Sequence, residues 1–131
     1  MIDKKNKSLK NGGIKKDKKE IKKTVPKWNR KHEFKKKKST KRAVGHPVYV
    51  IATNRNNSKY LTFTHKPEVG KEKEYTMLNH NIDPEEDKKG IRSFVKNKLD
   101  VSRTSKLREP DKKYRIHKED KETIERLKKG K

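Results

Sequence analysis

Cysteine is absent from this chain, and with it go disulfides, zinc–thiolate sites and iron–sulfur clusters. Apolar residues are scarce: 25% of the 131 positions are hydrophobic, against roughly 45–50% in ordinary globular chains with glycine counted. That excludes a core running through the whole chain, because the apolar surface cannot offset the entropy of ordering so many residues. No apolar run approaches the roughly 18 residues of a membrane span, and no apolar stretch follows the basic start as a signal peptide requires. The expected location is the cytoplasm, where a cysteine-free chain is at home. A glycine-rich phosphate loop and a G-x-S-x-G elbow are missing. The five histidines (His32, His46, His65, His80, His117) form no H-E-x-x-H or i, i+4 pair. The phrase "NHNIDPEED" sets His80 near Asp83, Glu85 and Glu86, which reads as a solvated acidic loop ahead of a cation site. No cofactor and no metal is expected.

What the chain has in excess is positive charge. Lys and Arg number 41 against 18 Asp and Glu, a net charge of +23. The first 42 residues hold 19 of those cations and 4 acids, the remaining 89 hold 22 and 14. Large apolar residues in the first segment are scattered, and Gly12, Gly13 and Pro26 interrupt any helix. Residues 1–42 therefore read as a disordered Lys-rich tail. Residues 43–131 read as one small folded domain, so a chain starting near Thr40 is expected to retain the fold.

Inside that unit "GHPVYVIATNRNNSKYLTFTH" reads as a β-hairpin. "PVYVIA" is β-branched and aromatic, and "KYLTFTH" alternates, with Tyr60, Thr62 and Thr64 on one face and Leu61, Phe63 and His65 on the other. The Asn-rich connection suits a turn. "IDPEEDKKG" opens like a helix at Asp83 and Pro84 but meets Gly90 soon after. Residues 91–101 satisfy both a helical stripe and two short strands. Near the end, Glu119 and Asp120 precede Lys128, Lys129 and Gly130, the charge order of a helix. The predicted core is Val48, Val50, Ile51, Leu61, Phe63, Phe94, Val95, Leu99, Ile116, Ile124 and Leu127. The fold class is α+β: a small, mostly-β domain, either an SH3-like barrel or a hairpin-based sheet, with a C-terminal helix.

This charge points to nucleic acid. Neutralising phosphates with Lys and Arg releases counterions and drives binding, whereas the excess of lysine over arginine, 33 to 8, disfavours bidentate base reading. The expected function is largely sequence-nonspecific binding of RNA or DNA. Candidate contacts are Lys35, Lys36, Lys37, Lys38, Lys41 and Arg42 in the arm, with Arg55 and Arg103 in the domain. Trp28 and Phe34, set among the basics, could stack on unpaired bases. Basic clusters also bind acidic lipid, but no membrane association is expected.

The running order "GHPVYVI", "LTFTH", "SFVKNKLDVSRTSKL" and "HKEDKETIERLKK" resembles that of the MazF/PemK-type toxin ribonucleases. The resemblance implies a small SH3-like barrel, metal-independent cleavage of single-stranded RNA, and an antitoxin or other acidic protein as partner. Carried onto this sequence, the family's arginine before the proline falls on His46 and its strand-end threonine on Thr64, with Thr62 its neighbour. The exchange of arginine for His46 replaces a fixed charge by a titratable one. The family's opening strand has no counterpart phrase, a Lys-rich stretch standing in its place. A binding module and an enzyme are thus both open, and they part at His46 and Thr64.

Overall fold

The computed structural model describes residues 27–38 and 45–129. They form six antiparallel strands and a C-terminal helix, joined by turns and short helical segments. In chain order they are β1 (Asn29–Lys36), β2 (Pro47–Thr53), β3 (Asn57–Thr64), β4 (Tyr75–Met77), a short helix α1 (Pro84–Lys88), β5 (Phe94–Lys96), β6 (Asp100–Arg103) and α2 (Lys121–Lys128). The sheet runs β1-β2-β3-β5-β4, and β6 also pairs with β3. On the edge away from β2, strand β3 serves two partners: Asn57–Tyr60 pair with β6, and Phe63–Thr64 with β5. No helix among the described residues is long and apolar enough to cross a membrane.

β1 overturns part of the tail expectation. Residues 29–36 pair along β2, Phe34 opposite Tyr49 and Lys36 opposite Pro47. The Phe34 ring is 7% exposed and lies 4.8 Å from Tyr49 and 5.5 Å from Phe63 between centroids. It is a core residue, not a base-stacking one. The boundary at 42/43 thus cuts through the sheet, with "NRKHEFKK" as a strand on the far side of it. Residues 1–26 of the expected tail lie outside the described residues. After β1 the chain returns to the sheet at Gly45, where a side chain is impossible: a Cβ would fall 1.7 Å from the Lys37 carbonyl oxygen.

The period of two in β2 and β3 feeds two apolar clusters. Val48, Val50 and Tyr60 pack with Leu107 on one side. Leu61 and Phe63 pack with Phe34, Leu78, Ile82, Val95, Ile124 and Leu127 on the other. The predicted core holds for Val48, Val50, Ile51, Leu61, Phe63, Val95, Ile124 and Leu127. Leu99 and Ile116 are only partly buried at its margin, and Phe94 is half-exposed. Opposite β1, residues 106–111 close over the strand edge: Lys38 N donates to Lys106 O at 2.9 Å, Arg108 N to Lys36 O at 2.8 Å, and Asp111 N to Phe34 O at 2.8 Å.

The polar positions of β3 are satisfied by β6 and the residue that follows it. Ser58 Oγ lies 2.8 Å from Thr104 Oγ1, Tyr60 donates its hydroxyl to Ser102 Oγ at 3.0 Å, and Thr62 donates to Asp100 Oδ2 at 2.7 Å. Each reaches the diagonal neighbour across the pair, so this face of hydroxyls is a structural ladder. Residues 91–101 resolve as strands β5 and β6 because their backbone groups complete β3, which periodicity alone did not decide. Helix α1 follows the sequence signals: the Asp83 side chain caps Glu85 N at 3.0 Å. Gly90, at φ +80°, ends it with Gly90 N on Asp87 O and Ile91 N on Glu86 O, a Schellman closure.

Candidate nucleic-acid interface

Along β1 the side chains of Trp28, Arg30 and His32 share one face, past the irregularity in pairing between Arg30 and Glu33. With Lys59 of β3, Lys98 of the β5–β6 turn, and Lys128 and Lys129 at the end of α2, they line a groove of about 820 Å³. Its floor is apolar, made by Ile51, Ala52, Leu99 and the indole. Among the described residues Glu125 is the one carboxylate in the lining, and Lys128 Nζ sits 3.0 Å from it. That hydrogen bond holds the Glu125 carboxyl below its usual range. Lys59 Nζ lies 4.7 Å from the indole centroid, a cation–π contact. Burial, with the charge of Lys128 and Arg30, pushes the His32 imidazole down and so favours its neutral form.

The residues expected from sequence to hold phosphate fall elsewhere. Lys35 is drawn 3.7 Å to Glu33, and Lys36 sits 5.8 Å from the Tyr114 ring. Lys37 is half-buried with its ammonium 5.3 Å over Tyr60, and desolvation lowers its pKa. Lys38, Arg55 and Arg103 are exposed, Arg55 at the hairpin tip and Arg103 opposite Asn57. Lys41 and Arg42 lie outside the described residues. Sequence reading noted Trp28 but passed over Arg30, Lys59, Lys98, Lys128 and Lys129, because they come from four distant segments. The alternation of Trp28, Arg30 and His32 was the available signal.

His46 and Thr64 do meet. They line one cleft of about 350 Å³ with Lys36, His65, Asp83 and Glu86 among its walls. Burial, then the neighbouring Lys37 and His65, pushes the His46 imidazole down, leaving it neutral at physiological pH. The Thr64 hydroxyl is tied into a turn, donating to Lys66 O and accepting from Lys66 N, each at 3.2 Å. Thr62 belongs to the β3–β6 ladder and not to this cleft.

Compared with known proteins, the chain matches no family model, no curated protein and no solved structure.

The third cluster gives His80 partners that the sequence reading did not name. His80 pairs not with Asp83, Glu85 or Glu86 but with Asp87 Oδ2 at 3.1 Å and Glu119 Oε1 at 2.8 Å. Its ring stacks on His117 at 3.6 Å and 16°. His80, His117 and Glu119 hold ligand atoms within 4.8 Å of one another. Stacked rings do not suit a tetrahedral centre, however, since a metal about 2.0–2.1 Å from one nitrogen and in its ring plane is far out of the other's. His117 Nδ1 already accepts from Glu119 N at 3.1 Å. The arrangement fastens the loop after β4 to the start of α2.

Hydrogen bonds to Glu119 and Asp87 raise the His80 pKa. The His80 bond lowers the Glu119 pKa, and the Asn81 N–H lowers that of Asp87. The raised histidine stabilises fully below its unfolded value, and that contribution is lost as pH rises through the folded one. The lowered carboxylates stabilise above their unfolded values and lose that contribution as pH falls through the folded ones. The stability of the native chain relative to His80→Gln is therefore expected to shrink as pH rises from the ordinary histidine value through the raised one. Equal slopes in the two melting series would remove His80 from this role.

Proposed function

We propose that the protein is a small, largely sequence-nonspecific nucleic-acid-binding module. The observation that carries this is the groove over β1 and α2, where five cations surround an apolar floor and the single acid is already paired. Cationic walls answer phosphates, and the apolar floor answers bases. The +15 of residues 1–42 adds charge without adding base readout. We assign the sheet to the SH3-like barrel class, a reading supported by the closure of residues 106–111 on β1.

Titration with labelled oligonucleotides at several salt concentrations tests the reading. Affinity should fall steeply with salt, log K against log salt having a slope steeper than about −3 for single strands. Lys98→Gln with Lys129→Gln should make that slope shallower by about 1 to 2. A salt-independent affinity, or none, would refute the reading.

A second reading, a ribonuclease of the MazF/PemK type, is favoured by the meeting of His46, Thr64, Lys36 and His65 in one cleft. In it neutral His46 would take the 2′-hydroxyl proton, the oxygen would attack phosphorus, and the 5′-oxygen would leave as a hydroxyl protonated by water, giving a cyclic phosphate. Lys36 would face the charge developing on the phosphoryl oxygens. The same incubations, read for cleavage in EDTA, decide it: turnover lost in His46→Ala supports it, and intact RNA rejects it.

A further inference from the structure

We infer that the Trp28 groove is a stacking site for unpaired bases, so that the protein prefers single-stranded to duplex nucleic acid. This rests on the nucleic-acid reading and adds to it a strand selectivity, at a site whose lining is distinct from that of the His46 cleft. Phe34, Tyr60 and Phe63 are buried at 7%, 3% and 1% exposure, whereas Trp28 is 37% exposed. The indole keeps over a third of its surface open in the groove, with the Lys59 ammonium 4.7 Å from its centroid.

The chemistry fits one occupant. Lys59 lies over the ring and presents a charge to a phosphate next to a base on the indole. Arg30, Lys98 and Lys129 stand exposed around the same floor. The groove volume of about 820 Å³ falls within the roughly 300–1,000 Å³ of organic-ligand clefts. A duplex offers its phosphates to such walls but keeps its bases stacked inside, so the floor gains nothing from it. An unpaired strand satisfies walls and floor together. Stacking is indifferent to sequence, since every base has a π-face, which agrees with a lysine-rich surface poor in base readers. The neighbouring cleft of about 610 Å³ shares His32 and Glu125 but sets Glu33, Asp111 and Glu125 against Lys112 and Lys121, so the cationic lining stops at the Trp28 groove.

The chain has a single tryptophan, which makes its fluorescence a direct probe of the site. The full chain is titrated with oligo-U, oligo-dT and a duplex, each about ten nucleotides long, within the site sizes of single-strand binders. Quenching by the single strands but not by the duplex is the expected result. Quenching by both oligo-U and oligo-dT assigns either polymer as ligand, and quenching by one alone assigns that sugar. By mobility shift, Trp28→Ala should weaken single-strand binding roughly 5- to 150-fold, the equivalent of stacking one base, and leave duplex binding unchanged. Trp28→Phe should recover most of the loss, which a folding defect would not allow. Single-strand binding without quenching, or equal weakening on duplex in Trp28→Ala, overturns the inference while leaving the phosphate reading intact. Absence of any binding removes both.

Discussion

A chain that begins at Thr40 is expected not to fold. It lacks β1, and with β1 go the partner of β2 and the Phe34 ring between Tyr49, Phe63 and Tyr114. The closing segment 106–111 loses its backbone acceptors on Phe34 and Lys36, leaving those groups to water. Within the full chain, Phe34→Ala alone should cost about 3–5 kcal/mol, the usual loss for emptying a buried aromatic site. That is a large part of the roughly 5–15 kcal/mol that holds a typical domain together. Urea denaturation followed by circular dichroism checks both: no cooperative transition in the truncated chain, and a midpoint shifted strongly down in Phe34→Ala. Phe34→Leu, which keeps most of the volume, should fall between. A truncated chain that melts as cooperatively as the full one would show that β1 contributes nothing to the core.

The second large effect is expected at Asp120. Its side chain is 2% exposed and does not cap its own helix. Instead it accepts from Asn79 N at 2.7 Å and His80 N at 3.0 Å, across from the loop after β4. Asp120→Ala strands two partly buried N–H donors, and about 2–4 kcal/mol is the expected cost. Asp120→Asn keeps one acceptor but turns an NH2 group toward a donor, so it should rescue only part. Denaturant melts give the magnitude, and hydrogen exchange should show the Asn79 and His80 amides losing protection. Because α2 carries Lys128 and Lys129 into the groove, single-strand affinity should fall in step with the anchoring of the helix. Unchanged exchange at both amides would contradict the contact.

Much of the local structure was legible in the residues. The hairpin of β2 and β3 showed as β-branched and alternating runs around an Asn turn. Asn54 Oδ1 indeed accepts from Asn56 N and Asn57 N there. Helix α1 was written by Asp83, Pro84 and Gly90, and α2 by its charge order. These signals act within a few residues, through capping, turn geometry and the helix dipole. Strand β1 was illegible for the converse reason: seven of its eight residues are polar, and only Phe34 is buried. Its order comes from the ladder it makes with β2, a partner separated in sequence.

The candidate site divides the same way. Composition by itself determined that the chain carries a large positive charge, a small core and no thiol chemistry, whatever fold it takes. Tertiary structure alone decided where the charge acts. It turned Lys37 inward over Tyr60, bound Lys35 to Glu33 and set His80 against Glu119, a residue 39 positions away. It also gathered Trp28, Lys59, Lys98 and Lys129 into one groove. Local signals are read along the chain, whereas a groove is an agreement among segments that only closing the sheet brings within a few ångströms.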